Sequence, residues 1–342
     1  MNSMQSDRYH IQSTVLNTQV DFDRSGQNNL PDPESALLVT DDNLYRNYRD
    51  LIDDYRHICL PPGEDSKSSE QLVRLYNWFI EMQADRSATV IAFGGGVVCD
   101  IAAYAASTYM RGLPLVLVPT SLLAMADAAV GGKNGINFHG HKNIIGTIRQ
   151  ADRTIITAAF LKTLPELHYL NGLAEIAKIA MIMDEPLMNI LERSANAILN
   201  RDVNVMDTVI HTAVRNKLTL VEADEQDKGL RHILNFGHTI GHALEMEDNV
   251  LHGFAVSKGM VAALSLSRKY GMPEQDYHKC ISLLKALKLP VDFEMKDNYL
   301  HHMKLDKKRH HNDMRFVFLE AAGKARIETL NFEQFKSMMY AT

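Results

Sequence analysis

Apolar positions along the chain change period near residue 160, and that change divides the sequence in two. Before it, short apolar runs alternate with helical patterns. Residues 37–40 (Leu-Leu-Val-Thr) predict a strand running into a turn or helix cap at Asp41-Asp42-Asn43. Ile58-Cys59-Leu60 is a second apolar run, stopped by Pro61-Pro62-Gly63. Leu72, Leu75 and Phe79 recur at helical spacing and predict a helix over 69–81. Residues 88–93 form a β-rich run ending on Gly94-Gly95-Gly96, followed by a helix over about 98–109. Residues 115–118 are another strand, closed by Pro119-Thr120-Ser121. Alternation of this kind predicts a parallel sheet flanked by helices. The first ~20 residues are polar with little pattern and read as an arm or an early edge strand.

Beyond residue 160 the 3.6-residue period dominates, over 173–183, 186–199, 205–222, 234–247, 256–270 and 275–287. Residues 315–319 and 324–330 look like two short strands around Gly323. The expected fold is an α/β domain with a parallel sheet over residues 1–160 and a mostly α-helical domain over residues 161–342. A chain of 342 residues, 46% hydrophobic and 23% charged, fits two globular cores. Its apolar runs are too short to span a bilayer, and no signal-peptide pattern opens it. Cys59, Cys99 and Cys280 form no CxxC pair, which favours a reducing compartment and a cytoplasmic location. The net charge of −6 argues against nucleic acid as the main partner.

The densest chemistry lies in residues 235–245, Asn-Phe-Gly-His-Thr-Ile-Gly-His-Ala-Leu-Glu. On a helix, His238 and His242 are one turn apart and share a face, and Arg231 and Asn235 continue that stripe. A stripe this polar in an apolar region is poorly explained by packing. It suits a metal beside an anionic or hydroxyl-rich substrate. Glu175 sits in the apolar helical run Leu-Ala-Glu-Ile-Ala-Lys, where it is either paired with Lys178 or a metal ligand. His252 alone reads as a surface histidine. With Glu175 and His238 it completes one carboxylate and two imidazoles, the donor set of a catalytic zinc with an open position. His301-His302 and His310-His311 look like exposed polar pairs.

Three glycine-rich or polar segments of the first part carry weaker signals. Gly94-Gly95-Gly96 before a helix lets phosphate oxygens approach backbone N–H groups, although a tight strand-to-helix turn reads the same way. The loop 61–67 is either a ligand loop with a carboxylate for ribose hydroxyls or a solvated turn before a helix cap. Residues 127–143 read as a glycine-rich loop with Lys133, Lys142 and Asn143, suited to phosphate or carboxylate; an exposed basic loop is the alternative.

In their order along the chain, PPGEDSKS, GGGVVCD, Arg111-Gly112, PTSLLAMADAAVGGK, HKN, GLAEIAK, GLRHILNFGHTIGHALE and LHGFAV resemble the 3-dehydroquinate synthases of the sugar-phosphate cyclase family. The resemblance runs from about Val39 to Leu330. It implies NAD in the α/β domain, a zinc or cobalt ion in the helical domain, and a homodimer. The implied reaction, in the shikimate pathway, turns 3-deoxy-D-arabino-heptulosonate 7-phosphate into 3-dehydroquinate and phosphate, with NAD regenerated. Glu175, His238 and His252 are implied metal ligands. Asp41, Asn43, Glu64, Lys67, Gly95, Gly96, Asp100, Thr120, Ser121, Lys142 and Thr163 are implied NAD contacts. Asp127, Lys133, Asn143, Lys178, Lys217, Arg231, Asn235 and His242 are implied substrate contacts. Arg111 is implied to reach the neighbouring subunit's site, and Arg315 to lie in a basic segment touching the substrate phosphate.

The sequence departs from the family pattern twice. Phe254 stands where the family commonly has Glu after His-Gly, which removes a potential acceptor for a ligand histidine. Asp227 replaces Glu four residues before Arg231. The competing readings are a sister cyclase making a valiolone or a deoxyinosose, a metal-dependent alcohol or glycerol dehydrogenase, and a non-catalytic metal- and nucleotide-binding protein.

Overall fold

The computed structural model describes residues 8–12, 17–23, 29–307 and 313–340, so the expected pair His310-His311 lies outside the described residues. The chain forms two compact units, Met1–Pro165 and Glu166–Thr342.

The first unit is built on a seven-stranded sheet. Its strands are β1 (Arg8–Gln12), β2 (Asn17–Phe22), β3 (Ala36–Asp41), β4 (Arg56–Leu60), β5 (Thr89–Gly94), β6 (Leu115–Pro119) and β9 (Arg153–Ile156), in the spatial order β1-β2-β9-β6-β5-β3-β4. β1 pairs antiparallel to β2 at the edge, and every other pairing is parallel. β3, β5 and β6 are covered on both faces, which is why they read as continuous apolar runs: Leu37, Leu38 and Val39 beside Val90, Ile91 and Ala92 are all buried. Among the described residues its α-helices are α1 (Asp42–Asn47), α2 (Arg49–Ile52), α3 (Ser69–Glu81) and α4 (Gly96–Thr108). α3 occupies the predicted 69–81. Ser68 caps its N-terminus, and Leu72, Leu75 and Phe79 face the core.

Residues 127–143 are not a loop: a separate antiparallel ribbon, β7 (Lys133–Phe138) and β8 (His141–Ile148), takes up most of that stretch. His139 and Gly140, both at positive φ (47° and 78°), make its two-residue turn. Ile136 and Ile145 pair across the ribbon and anchor it on the core around α4.

The second unit is mostly helical: α5 (Glu166–Met183), α6 (Glu185–Arg193), α7 (Ala195–Leu199), α8 (Val203–Ala223), α9 (His238–Asp248), α10 (His252–Lys269), α11 (Glu274–Ala286), α12 (Asp297–Lys307) and α13 (Phe332–Tyr340). A hairpin of β10 (Asp313–Ala321) and β11 (Lys324–Asn331) joins them around Gly323 (φ 77°). The helix expected over 186–199 is two helices, because Ser194 leaves helical geometry between α6 and α7. The helix expected over 234–247 begins only at His238. Residues 230–235 form a 3-10 turn, and Gly237 at φ 79° breaks the run. A side chain at Gly237 would strike the Val256 carbonyl and Met260 on α10, so glycine is required for two helices to approach here. Among the described residues no helix is long and apolar enough to cross a membrane, and all three cysteines are free thiols.

Candidate active site

In the first unit, the expected cofactor residues gather beyond the carboxyl ends of the parallel strands. Asp41 ends β3, Glu64 and Lys67 follow β4, Gly95 and Gly96 follow β5, Thr120 and Ser121 follow β6, and Thr163 follows β9. Strand order reverses where β3 and β5 lie side by side: the chain runs from β3 out to β4, then returns to β5 and continues to β6 and β9. In open α/β sheets that reversal is where ligands bind. Gly95 is the extended N-cap of α4 and Gly96 its first residue, so the glycine run presents the N–H end of a thirteen-residue helix there.

Several of these side chains already have partners. Asp41 Oδ1 accepts from the N–H groups of Asn43 (2.8 Å) and Leu44 (3.0 Å), capping α1. Lys67, buried, donates to Asp100 Oδ2. Burial raises the Asp100 carboxyl and Lys67 lowers it only part of the way, leaving it pushed up to about 6. The Thr120 N–H donates to Gly94 O (2.9 Å), tying the ends of β5 and β6 together. Thr163 Oγ1 is 2.7 Å from the Tyr48 hydroxyl.

The expected substrate residues of this unit lie on short structured segments. Asp127 is in a π-helical turn, Ala124–Ala128, a geometry common at functional sites. Lys133 opens β7 and Asn143, at φ 54°, is on β8, next to Lys142, one of the expected NAD contacts. Arg111 is exposed and at φ 69°, between Met110 (φ 49°) and Gly112 (φ 127°). Non-glycine residues in this conformation are strained and cluster at functional sites.

The second unit holds the metal candidate. Glu175, His238 and His252 offer ligand atoms that all lie within 4.8 Å of one another. Glu175 is fully buried at mid-helix in α5, and its Oε1 is 3.7 Å from His238 Nε2 and 3.4 Å from His252 Nε2. Those separations are too long for hydrogen bonds. Neither Glu175 oxygen has a hydrogen-bond partner among the described residues, although Oε2 lies against the Lys178 ammonium as an ion pair. A buried carboxylate left in this state is what a cation would satisfy.

Both histidines are oriented for that task. His238 Nδ1 is 3.3 Å from Phe236 O, and His252 Nδ1 is 3.0 Å from Glu245 Oε2. An Nδ1–H donated in each case leaves Nε2 as the lone-pair nitrogen, and in both rings Nε2 faces Glu175. Phe254 therefore does not leave His252 without an acceptor: Glu245, seven residues after His238 on the same helix, supplies it. Sequence reasoning gave Glu245 no role, though its spacing of two turns from His238 carried the signal. Burial raises the Glu175 carboxyl, but the charges of Lys178, His238 and His252 outweigh it and hold it well below the usual range. Burial, then Lys178, depress His238; burial opposes protonation of His252, but the facing carboxylates of Glu175 and Glu245 push it up to about 10.

The fold fixes this geometry through close backbone approach. Gly253 N–H donates to Asn171 Oδ1 (2.7 Å), one turn before Glu175 on α5, and a Cβ at Gly253 would fall on the Asn171 carbonyl. That contact seats the first turn of α10, with His252, over Glu175. The expected four-residue stripe on one helix is corrected. His238 and His242 do share a face of α9, with ring centroids 5.3 Å apart, but Arg231 and Asn235 are on the preceding 3-10 turn. That turn packs on α5 and α8, so the buried cations Lys178, Lys217 and Arg231 sit on three elements in mutual contact. Asp224, which sequence reasoning passed over, shapes the loop before Arg231 by accepting from the N–H groups of Lys228 (2.9 Å), Gly229 (2.7 Å) and Arg231 (3.1 Å). Asp227 Oδ1 is 3.8 Å from His232 Nδ1. Arg315, on β10, donates to Lys228 O (3.1 Å), supporting the same loop. His301 is exposed, whereas His302 bonds Glu247 (2.9 Å).

Known proteins resemble this chain in sequence and in fold. Residues 57–171 match the family described as 3-dehydroquinate synthase N-terminal, and residues 172–309 match 3-dehydroquinate synthase C-terminal. The 3-dehydroquinate synthase of Clostridium tetani is 37% identical over 304 residues, covering 85% of this chain and 81% of that protein. That of Ruminiclostridium cellulolyticum is 40% identical over 305 residues, covering 84% of each. Among solved structures, 2-epi-5-epi-valiolone synthase from Streptomyces hygroscopicus, with NAD+ and Zn2+ bound, aligns with a TM-score of 0.85 at 27% identity over 94% of this chain and 95% of that one. The valiolone synthase shares the architecture, but the sequence follows the synthases that make dehydroquinate. With both halves of one family matched in order across residues 57–309, the chain belongs to the 3-dehydroquinate synthase family.

Proposed function

We propose that this protein converts 3-deoxy-D-arabino-heptulosonate 7-phosphate into 3-dehydroquinate and phosphate, as an NAD- and metal-dependent carbon–oxygen lyase of the shikimate pathway. The observation that carries the reading is the buried, hydrogen-bond-deficient Glu175 faced by two histidines whose Nε2 atoms point at it. Glu175, His238 and His252 would hold a zinc or cobalt ion. The residues beyond the strand ends (Asp41, Asn43, Glu64, Lys67, Gly95, Gly96, Asp100, Thr120, Ser121, Lys142 and Thr163) would hold NAD. When bound, the metal supplies Lewis acidity toward substrate hydroxyls and NAD supplies a reversible hydride acceptor.

The rest falls to the chain's own side chains. In the second unit Arg231 and His242 would grip the phosphate, and Arg315 braces the loop that presents Arg231; in the first unit Lys133 and Asn143 are the candidate phosphate contacts. Lys178, Lys217 and Asn235 orient the carboxylate and hydroxyls, and Asp127 fixes the substrate's position. Burial of Lys178, Lys217 and Arg231 strengthens their pull on an anion, because little water screens them. The enzyme acts as a cytoplasmic homodimer, in which the strained, exposed Arg111 serves the neighbouring subunit.

Purified protein given catalytic NAD, zinc and the heptulosonate phosphate should release phosphate and 3-dehydroquinate in equal amounts, with no NADH accumulating. His238→Ala should lose both metal retention and turnover. Phosphate release only from a sedoheptulose 7-phosphate or glucose 6-phosphate substrate would reassign the protein to a sister cyclase. NADH accumulating from a simple alcohol would make it a dehydrogenase.

A further inference from the structure

We propose that Asn137, on β7, is a positioning residue that ties the cofactor loop to the substrate strand within the first unit. The inference rests on the reading of Glu64 as a cofactor contact and Asn143 as a substrate contact. Asn137 reaches two segments at once. Its backbone N–H donates to Lys67 O (2.7 Å) and its Nδ2 to Glu64 Oε1 (2.8 Å), both in the loop after β4. Its Oδ1 accepts from the Asn143 N–H (2.9 Å) across the ribbon. A carboxylate only accepts and a backbone N–H only donates, so these two partners fix which end of the amide is which.

The ribbon's irregularity explains why a side chain is needed here. Regular pairing between β7 and β8 slips between Ile136 and Phe138, opposite Asn143. Asn143 at the same place takes a left-handed backbone conformation, φ 54°. A bulge of this kind re-aims a side chain and takes an N–H out of the regular ladder. Asn137 Oδ1 satisfies that N–H and holds Asn143 in its strained conformation. The opposite end of the same amide holds Glu64. One carboxamide thus sets the aim of a side chain assigned to NAD and of a side chain assigned to the substrate.

Asparagine at 137 makes a divisible prediction. Asn137→Asp keeps an acceptor for the Asn143 N–H but replaces the donor with a carboxylate facing Glu64. It should raise the NAD dissociation constant about tenfold while leaving the substrate KM near wild type. Asn137→Ala removes both arms and should raise both constants about tenfold. The experiment measures NAD affinity by calorimetry on the full chain, and KM and kcat by phosphate release. Glu64→Ala and Asn143→Ala serve as controls that each move one constant. If those controls shift as stated but both Asn137 variants keep wild-type constants, the positioning role is overturned. Equal losses of kcat and melting temperature with unchanged constants would also overturn it, as the mark of a merely structural residue. If Glu64→Ala leaves NAD affinity unchanged, the underlying cofactor reading fails instead. Should the alanine variant not fold, the aspartate variant carries the test alone.

Discussion

Removing the Glu245 carboxylate should weaken zinc binding by about 10- to 100-fold without touching a ligand. Glu245 Oε2 lies 3.0 Å from His252 Nδ1, and its side chain is only 15% exposed. A hydrogen bond to a charged group in such a place is worth about 1.5–3 kcal/mol, and each 1.36 kcal/mol is a decade, so the loss spans about one to two decades. The cause is orientation and basicity. Without the acceptor, the ring of His252 can rotate or carry its proton on Nε2, where it blocks the metal. Glu245→Gln keeps a neutral acceptor of the same length and should cost less than about tenfold. The assay is zinc competition against a chromophoric chelator at pH 8, with Glu245→Ala, Glu245→Gln and Phe254→Glu side by side. Phe254→Glu should leave affinity at the wild-type level, since the single Nδ1–H is already given to Glu245. Wild-type zinc affinity in Glu245→Ala, or marked tightening in Phe254→Glu, would refute the assignment of the acceptor.

Three further outcomes are expected. Gly253→Ala forces a methyl onto the Asn171 carbonyl and strains the 2.7 Å bond that seats α10, so urea unfolding should show a loss of about 2–4 kcal/mol together with reduced zinc stoichiometry; wild-type stability would sink this account. Asp100 is held at about 6 against an ordinary 3.8, so the folded state keeps its proton the more tightly. Its contribution is full below about pH 4 and is lost as pH rises through about 6, a change of about 3 kcal/mol at most. The stability of wild type relative to Asp100→Asn should therefore fall between pH 4 and 6, and a rise would contradict the sign. Asp224→Ala releases three backbone N–H groups before Arg231 and should raise the substrate KM about tenfold with NAD affinity unchanged, whereas loss of both would mark a general collapse.

What the sequence disclosed and what it hid differ in the range over which the cause acts. α3 was legible to the residue because its cap, Ser68, and its apolar stripe are local. The buried strands β3, β5 and β6 were legible because burial on both faces leaves only apolar residues to choose from. The break at Gly237 was not, since Val256 and Met260, about twenty residues downstream, demand it. α12 was invisible for another reason. Its apolar face is short, with Tyr299, Leu300 and Met303 buried. Polar contacts add to its hold on α9, with the Tyr299 hydroxyl on Asp248 (2.6 Å) and Asn298 and His302 on Glu247 (2.7 and 2.9 Å), and hydrophobic periodicity carries no trace of those.

The metal site joins both kinds of information. Its three candidate ligands were legible because metal binding restricts residue type: a carboxylate and two imidazoles stand out in apolar helices whatever the fold. Their convergence was not, because it depends on groups without conspicuous chemistry. Gly253 and Asn171 seat one helix on another, Gly237 lets a second approach, and Glu245 turns one ring. The Phe254 departure shows the consequence. Taken alone along the chain, it reads as the loss of an acceptor for a ligand histidine. In three dimensions Glu245, on the neighbouring helix, occupies that role, so the position after His-Gly is released to carry a partly buried aromatic side chain. A substitution beside a ligand is thus judged by whether the ligand's other nitrogen still has an acceptor, and that acceptor need not be a sequence neighbour.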